Sequence, residues 1–470
     1  MKKFIAALLF ISALLPVFAF SGCKRSSGYF PKYTINAVYT ENKIEGTLEY
    51  EFKNPSDKPI DAIKFNLYAN AYSEKAKNRP VPYGSELKNF GGTEISDCLF
   101  CGSPAEFSVT GEDGNVLEIK TAEIPPNGSA KVSLSFSTVI PAADLRLGDT
   151  GETVNLGDFF PVACKAENGE FIECEYSPVG DPYYSGCSDY DVTITVPSEY
   201  VAASSGSPVS SETKGAATVY RYSLKKGRDF ALCLSKNFTV KSEQVGGITL
   251  NVYGDAEFSE RALSAARSAL RYFSSAFGKF PYETMSVVKT GFLQGGMEYS
   301  GLCFISDSAE GEKEELTVVH EIAHEWWHCG VGNDQINEAY IDEGLAEYSS
   351  YLYFAENGNA ERAEEILNRA TAAYKAYFDV GKILRGEANT VMNRPLSSFS
   401  GDYEYVAIAY AKPLIMFTEY EKTIGRNKAK RRLSALYKDN LYGEINSDAL
   451  ISALGYPEFF RSYIDGKVII

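Results

Sequence analysis

The sequence predicts an α+β multidomain protein, in which an antiparallel, sandwich-like β domain precedes a mainly helical one. Three observations carry this. From about residue 30 to 245, short runs alternate apolar with polar residues and are broken by Gly, Pro, Asn and Asp, as in "TLEYEFKN", "KVSLSFSTV", "YDVTITVPS" and "TVYRYSLKK". From about residue 256 the apolar period lengthens to three and four, first in "SERALSAARSALRYFSSAFG". A single strand-like run, "TMSVVKT", follows, and long helical patterns then continue to about residue 438. The chain has 470 residues, too many for one ordinary hydrophobic core.

In chain order, the first segment reads as an export signal over residues 1–22. Two lysines precede a 17-residue apolar run, Phe4 to Phe20, interrupted by Ser12 and Pro16 and closed by "FSGC". Ser21 and Gly22 before Cys23 resemble the lipobox of bacterial lipoproteins. The expectation is a bacterial cell-membrane lipoprotein held by a lipid on Cys23 and facing outside the cytoplasm, with a soluble secreted protein as the alternative. Residues 23–245 form the β-rich part, 246–440 the helical part and 441–470 a short helical tail.

Composition narrows the class. With 44% hydrophobic and 13% aromatic residues the chain is globular, and its net charge of −16 argues against nucleic acid or anionic lipid as a partner. Of the eight cysteines besides Cys23, Cys164 and Cys174 flank the turn-like "KAENGEF" and are candidate hairpin disulfide partners. "CLFC", Cys98 to Cys101, is a lone CxxC with no histidine near it, and reads as thiols or a disulfide rather than a zinc knuckle.

The chemistry is concentrated in "VVHEIAHEWWHCG", residues 318–330, which holds every histidine of the chain: His320, His324 and His328. On an α-helix His320 and His324 lie about 40° apart, one turn from each other on one face, so two imidazole nitrogens can meet one metal. Glu321 sits at the edge of that face, where it reaches a water on the metal without being a ligand, the HExxH arrangement of zinc peptidases. A catalytic zinc usually has three protein ligands. On the same unbroken helix His328 would stand roughly 12 Å from His320, too far to share an ion. Downstream, "GNDQINEAYIDEGLAEY" offers Asp334, Glu338, Asp342, Glu343 and Glu347. Glu343 and Glu347 are one turn apart, and helix geometry leaves open which of them binds the metal and which orients a ligand histidine.

HExxH, eighteen residues, then glutamate in an "EG" dipeptide resembles the gluzincin aminopeptidases, the family of aminopeptidase N and leukotriene hydrolase. The resemblance implies a thermolysin-like zinc peptidase domain over residues 246–440. It implies one Zn2+ per chain, held by His320, His324 and Glu343, with Glu347 orienting a histidine and with Glu338 and Asp342 left as solvated or capping groups. "GGMEYSG" resembles the family's GxMEN exopeptidase motif. That match puts Glu298 where the family binds the substrate's free α-amino group, with Gly295 and Gly296 leaving backbone open for a peptide to pair as an added strand. Tyr299 stands where many members carry asparagine. "AYAKPL" resembles the family's YxKG tyrosine motif, so Tyr410, 67 residues beyond Glu343, is the implied donor to the oxyanion; Pro413 replaces the usual glycine.

"NLGDFFPVAC" and "DPYYSGCSDYDVTITVPSEYVAASSG" resemble the N-terminal domain of bacterial members, whereas the large C-terminal helical domain of longer members has no counterpart in the last 30 or so residues. The function so implied is a zinc-dependent aminopeptidase. Glu321 is its base, Tyr410 its oxyanion donor, and peptides with a free N-terminus at the cell surface are its substrates. The alternatives are a zinc endopeptidase, a hydrolase of a non-peptide substrate, or a binding lipoprotein that has lost activity. His328 is expected to pack with Trp326, Trp327 and Cys329 around the active-site helix, or to reach the groups behind the metal ligands, and is assigned no role in the chemistry.

Overall fold

The computed structural model describes residues 28–80 and 87–468. The export signal and Cys23 lie outside the described residues.

The β-rich part is built on an eight-stranded sheet. Its strands run, in spatial order, Ser207–Lys214, Ala217–Gly227, Ser188–Pro197, Lys32–Thr40, Lys43–Lys53, Ser129–Val139, Gly92–Phe100 and Ser103–Pro104. The two-residue period does its usual work here: Ile35, Leu48 and Leu134 face inward, and pack in one core with Ile63, Phe65 and Ile119 of a second, four-stranded sheet. That is the expected sandwich, with one correction. Lys32–Thr40 and Ser188–Pro197 run parallel, with Ile35 opposite Val192, so the sheet is not wholly antiparallel. Alternation marks which face a residue takes and says nothing of the direction of a partner some 150 residues away.

The helical part begins earlier than its period suggests. Thr239–Val245 pairs with Ile248–Gly254, and both belong to a five-stranded sheet completed by Thr284–Thr290, Leu302–Ser306 and, at its edge, Gly296–Tyr299. The sheet therefore changes at Thr239 rather than at residue 245, because a strand entering either sheet reads alike. Helix Ala256–Ala276, capped by the Asp255 side chain on Phe258 N, buries Phe258, Ala262, Ala266, Ala269 and Phe273 along one stripe. It packs on helix Glu312–His324, which lies in turn against helix Tyr340–Glu356 and the strands Gly296–Tyr299 and Leu302–Ser306.

Helix Glu312–His324 ends at the second histidine, so His328 is not on it. Beyond His324 the backbone hydrogen bonds span five residues, from Cys329 N to His324 O, Gly330 N to Glu325 O and Val331 N to Trp326 O, and His328 has φ +148°. The cause is the two tryptophans. Trp326 is wholly buried against Phe273 and Phe280, and Trp327 against Phe277 and Tyr437, with their indole N–H groups donating to Gly278 O and Ser349 Oγ. Adjacent residues of a continued helix point about 100° apart, and the chain leaves the helix to seat both rings.

The C-terminal segment carries helices Ser447–Leu454 and Pro457–Ile464 and is tied into the helical part. Met392 N donates to Ile464 O, and the buried Lys412 ammonium donates to Thr390 O and Tyr463 O. The hairpin at "KAENGEF" is present as Lys165–Glu167 with Glu170–Ile172, but Cys164 and Cys174 are free, buried thiols. Its register, Lys165 opposite Ile172, carries Cys164 toward Glu173 instead of Cys174.

Candidate metal and substrate site

Helix spacing brings the two imidazoles together as anticipated. His320 Nε2 and His324 Nε2 are 3.1 Å apart, and Glu343 Oε2, from the next long helix, is 3.4 Å from the first and 3.3 Å from the second. Ligands about 2.0–2.2 Å from a tetrahedral zinc are separated by about 3.3–3.5 Å, so these three atoms fit that ion. Glu343 Oε2 is buried with no hydrogen-bond partner among the described residues. Both rings are held from behind: His324 Nδ1 lies 3.0 Å from Trp327 O, and His320 Nδ1 lies 3.3 Å from Glu347 Oε1. Such partners direct the Nε2 lone pairs at the shared point. The choice that helix geometry left open is thereby made spatially, with Glu343 at the meeting point and Glu347 behind His320.

The charges around this point are those of a site built for a cation. Burial alone would raise Glu343, yet the facing His320 and His324 imidazoles hold the carboxyl well below the usual range. Burial works against a charged His324, but the facing Glu298 and Glu343 carboxylates push it up to about 10. Glu321 is pushed up to about 7 by burial, against the pull of the two histidines.

Glu321 lies against the edge strand. A Cβ on Gly296 would fall 2.2 Å from Glu321 Oε1, so only glycine lets strand and carboxylate approach this closely. Gly295, at φ +91°, turns the chain into that strand. The strand's two-residue period then sorts its side chains. Glu298 faces the histidines, while Tyr299 is buried on the other side against Phe304, its hydroxyl beside Gly157. The tyrosine that departs from the family pattern is thus a core residue.

Tyr410 also arrives at the site. It sits on a π-helical turn, Val406–Ala411, between the short helix Asp402–Tyr405 and helix Lys412–Ile424. Its ring stacks on His320 with centroids 6.0 Å apart, and its hydroxyl donates to Glu343 Oε1. Pro413 packs where a Cβ on Gly344 would lie 2.5 Å from its own Cβ, so the glycine of "DEGLAE" and this proline mark a close helix approach. Of the neighbouring tyrosines, Tyr403 is exposed and Tyr405 is buried edge-on to Tyr410.

Around Glu298 the structure assembles residues that no spacing announced. Gln335 Nε2 donates to Glu298 Oε1 at 3.1 Å and to Asp342 Oδ2 at 2.8 Å, and Asn333 donates to Asp342 Oδ1 at 2.8 Å. Asp342, expected to be solvated or capping, is buried in this network, because it leaves its helix on the inward side beside Glu343. Glu338 does support a helix start, accepting from Ser447 N and Oγ. His328, off the helix, places Nδ1 3.9 Å from Asp342 Oδ2 and Nε2 3.7 Å from Asp229 Oδ2.

From the β-rich part, the buried Arg146 pairs with Asp181 and reaches Met297 Sδ at 3.0 Å, bracing the edge strand from behind. Burial first, and then the charge of Asp181, push Glu298 well above the ordinary carboxylate range. A cation beside Glu298 would reverse that shift. Arg146, Asp181 and Gln335 carry no sequence signal beyond lying near matched segments, since what unites them is the packing of the two parts of the chain.

A profile of the Peptidase family M1 domain matches residues 261–462. Among curated proteins, Aminopeptidase M1 of Arabidopsis thaliana is 22% identical over 410 residues, covering 76% of this chain and 44% of its own. The chain spans under half the length of the curated relatives it matches. Among solved structures, the M1 zinc metallopeptidase from Deinococcus radiodurans superposes with a TM-score of 0.66 at 15% identity, over 94% of both chains. A variant of that enzyme bound to a Tyr-Ser-Ala substrate superposes with a TM-score of 0.65 at 15% identity, covering 94% of this chain and 95% of its own. At such identities the superpositions establish a shared fold.

Proposed function

We propose that this chain, whose residues 261–462 match the peptidase family M1 domain, is a zinc aminopeptidase that removes N-terminal residues from peptides. The observation that carries the reading is a juxtaposition: ligand atoms of Glu298, Glu321 and His324 lie within 4.8 Å of one another, all three residues buried, so an amine anchor and a base adjoin the metal corner. His320, His324 and Glu343 would hold the zinc, which when bound supplies Lewis acidity toward a carbonyl and toward water.

The chain's own residues do the rest. Glu298 binds the ammonium of the substrate's N-terminus by a charge-assisted hydrogen bond and so places the first peptide bond over Glu321. The edge strand Gly296–Tyr299 offers backbone groups on its unpaired side for the substrate to lie along as an added strand. Glu321, poised near neutrality, takes a proton from the attacking water and delivers it to the leaving amine. Tyr410, freed from Glu343, donates to the oxyanion that develops on the carbonyl oxygen. The Tyr-Ser-Ala bound by the Deinococcus variant is a ligand of the kind this geometry accepts.

Free-amine aminoacyl amides compared with the same compounds N-acetylated test the reading. The free amines are cleaved and the blocked ones are poor substrates; equal rates would make the chain an endopeptidase or another hydrolase. We further propose that the enzyme works at the bacterial cell surface, lipidated at Cys23, a reading supported by "FSGC" after an apolar run. Labelled fatty acid then enters the wild type and not Cys23→Ser; label in neither means simple secretion.

A further inference from the structure

We propose that Glu298, His328, Asp342 and Gln335 form a second divalent-cation site beside the His320, His324 and Glu343 corner. One ligand atom each from Glu298, His328 and Asp342 lie within 4.8 Å of one another. These residues are 4%, 5% and 1% exposed, so water cannot balance their polar atoms from outside.

The pocket has more acceptors than donors. Gln335 Nε2 is the donor that bridges the Glu298 and Asp342 carboxylates, while Gln335 Oε1 and His328 Nδ1 are buried with no hydrogen-bond partner among the described residues. Asp229 Oδ2, 3.7 Å from His328 Nε2, favours the tautomer that carries its proton on Nε2, which leaves the Nδ1 lone pair facing Asp342 Oδ2, 3.9 Å away. Turning the Gln335 amide over, an exchange of nearly isosteric groups, brings Oε1 between the same two carboxylates. Four ligand atoms then converge on one point, and a cation there would displace the proton that burial otherwise holds on Glu298. One imidazole nitrogen with carboxylate and amide oxygens is a ligand set for zinc or manganese.

His328 also holds φ +148°, a backbone state that favours glycine, so the imidazole is present at a conformational cost. The consequence for catalysis rests on the aminopeptidase reading. An ion on Glu298 occupies the carboxylate that would receive the substrate's ammonium, and excess metal therefore competes with free N-termini.

The test is metal analysis of the full chain equilibrated with excess Zn2+, wild type against His328→Gly. Glycine suits this backbone, which offsets part of the cavity left by the buried imidazole, and a cooperative thermal transition shows that the variant is folded. About two ions per chain in the wild type and about one in the variant, with at least ~100-fold weaker affinity for the second, are expected from loss of a direct ligand. One ion in both, or two in both, overturns the site. Kinetics separate it from the reading it adjoins: excess Zn2+ raises KM for a free-amine aminoacyl amide in the wild type and not in His328→Gly. If the second ion depends on His328 while inhibition is not competitive, the cation site stands and Glu298 is not the ammonium anchor.

Discussion

The corner around Glu343 and the corner around Glu298 share a floor and are built in opposite ways. At the first, His320 and His324 come from successive turns of one helix and Glu343 from the helix packed on it. Each imidazole has an acceptor behind it, and the atoms in front close to 3.1–3.4 Å. At the second, an edge strand, a non-helical turn and the segment 333–342 each contribute, and three buried polar atoms, His328 Nδ1, Asn333 Oδ1 and Gln335 Oε1, have no hydrogen-bond partner among the described residues. The difference teaches that a ligand set carried on one helix inherits its geometry from the helix. One gathered from several elements is only as exact as the packing that gathers them, and it retains latitude to take different cations.

Four substitutions break or sharpen that contrast. Glu321→Gln strikes the rigid corner's base and should cost ~10²–10⁴-fold in kcat while leaving bound zinc unchanged; near-normal turnover with full metal would take Glu321 out of the mechanism. Tyr410→Phe removes one donor to the oxyanion, and kcat should fall ~10²–10³-fold with little change in KM. A loss confined to KM would mean the hydroxyl only holds Glu343. Glu298→Ala acts at the adaptable corner. Here kcat/KM for free-amine substrates should drop roughly 10- to 150-fold while N-acetylated ones lose little, a split that a general folding defect does not produce.

The smallest effect lies on the short helix Asp402–Tyr405 that precedes the turn of Tyr410. Glu404 accepts from Ser400 N, Ser400 Oγ, Arg394 and Tyr377, and although burial opposes its charge these bonds draw its carboxyl down to about 2. A carboxyl depressed in the folded state stabilises above its unfolded pKa of 4.5, and that contribution is lost as pH falls toward about 2. Glu404→Gln should therefore lower unfolding free energy by about 2 kcal/mol near neutrality, and the gap to wild type should close across that acid window. A gap that does not narrow with acid would assign the loss to packing.

Much of the metal corner was legible because its information is local. Four-residue spacing needs only the helix, and the "EG" glutamate needs only the next helix to pack on it. Glu347 behind His320 follows from the same turn. The parallel pairing of Lys32–Thr40 with Ser188–Pro197 was not legible, nor was the exit of the chain from its helix before His328. The first depends on a partner 150 or so residues away, and the second on aromatic neighbours that the tryptophans meet only after folding.

By itself, then, the sequence pointed to the two structural regimes, the strand and helix periods that mark them, and the candidate residues His320, Glu321 and His324, with Glu343 chosen over Glu347 only through a family resemblance. It also singled out Glu298 and Tyr410, through short segments that resemble motifs of a known family. Only the tertiary structure decided that Asp342 is buried rather than solvated, that Gln335 links it to Glu298, that Arg146 and Asp181 brace the edge strand from the other part of the chain, and that His328 turns inward at φ +148°. The physical reason is that hydrogen-bond geometry and periodicity act over a few residues and can be counted along the chain. Desolvation and partner choice for a buried polar group instead depend on which surfaces close over it.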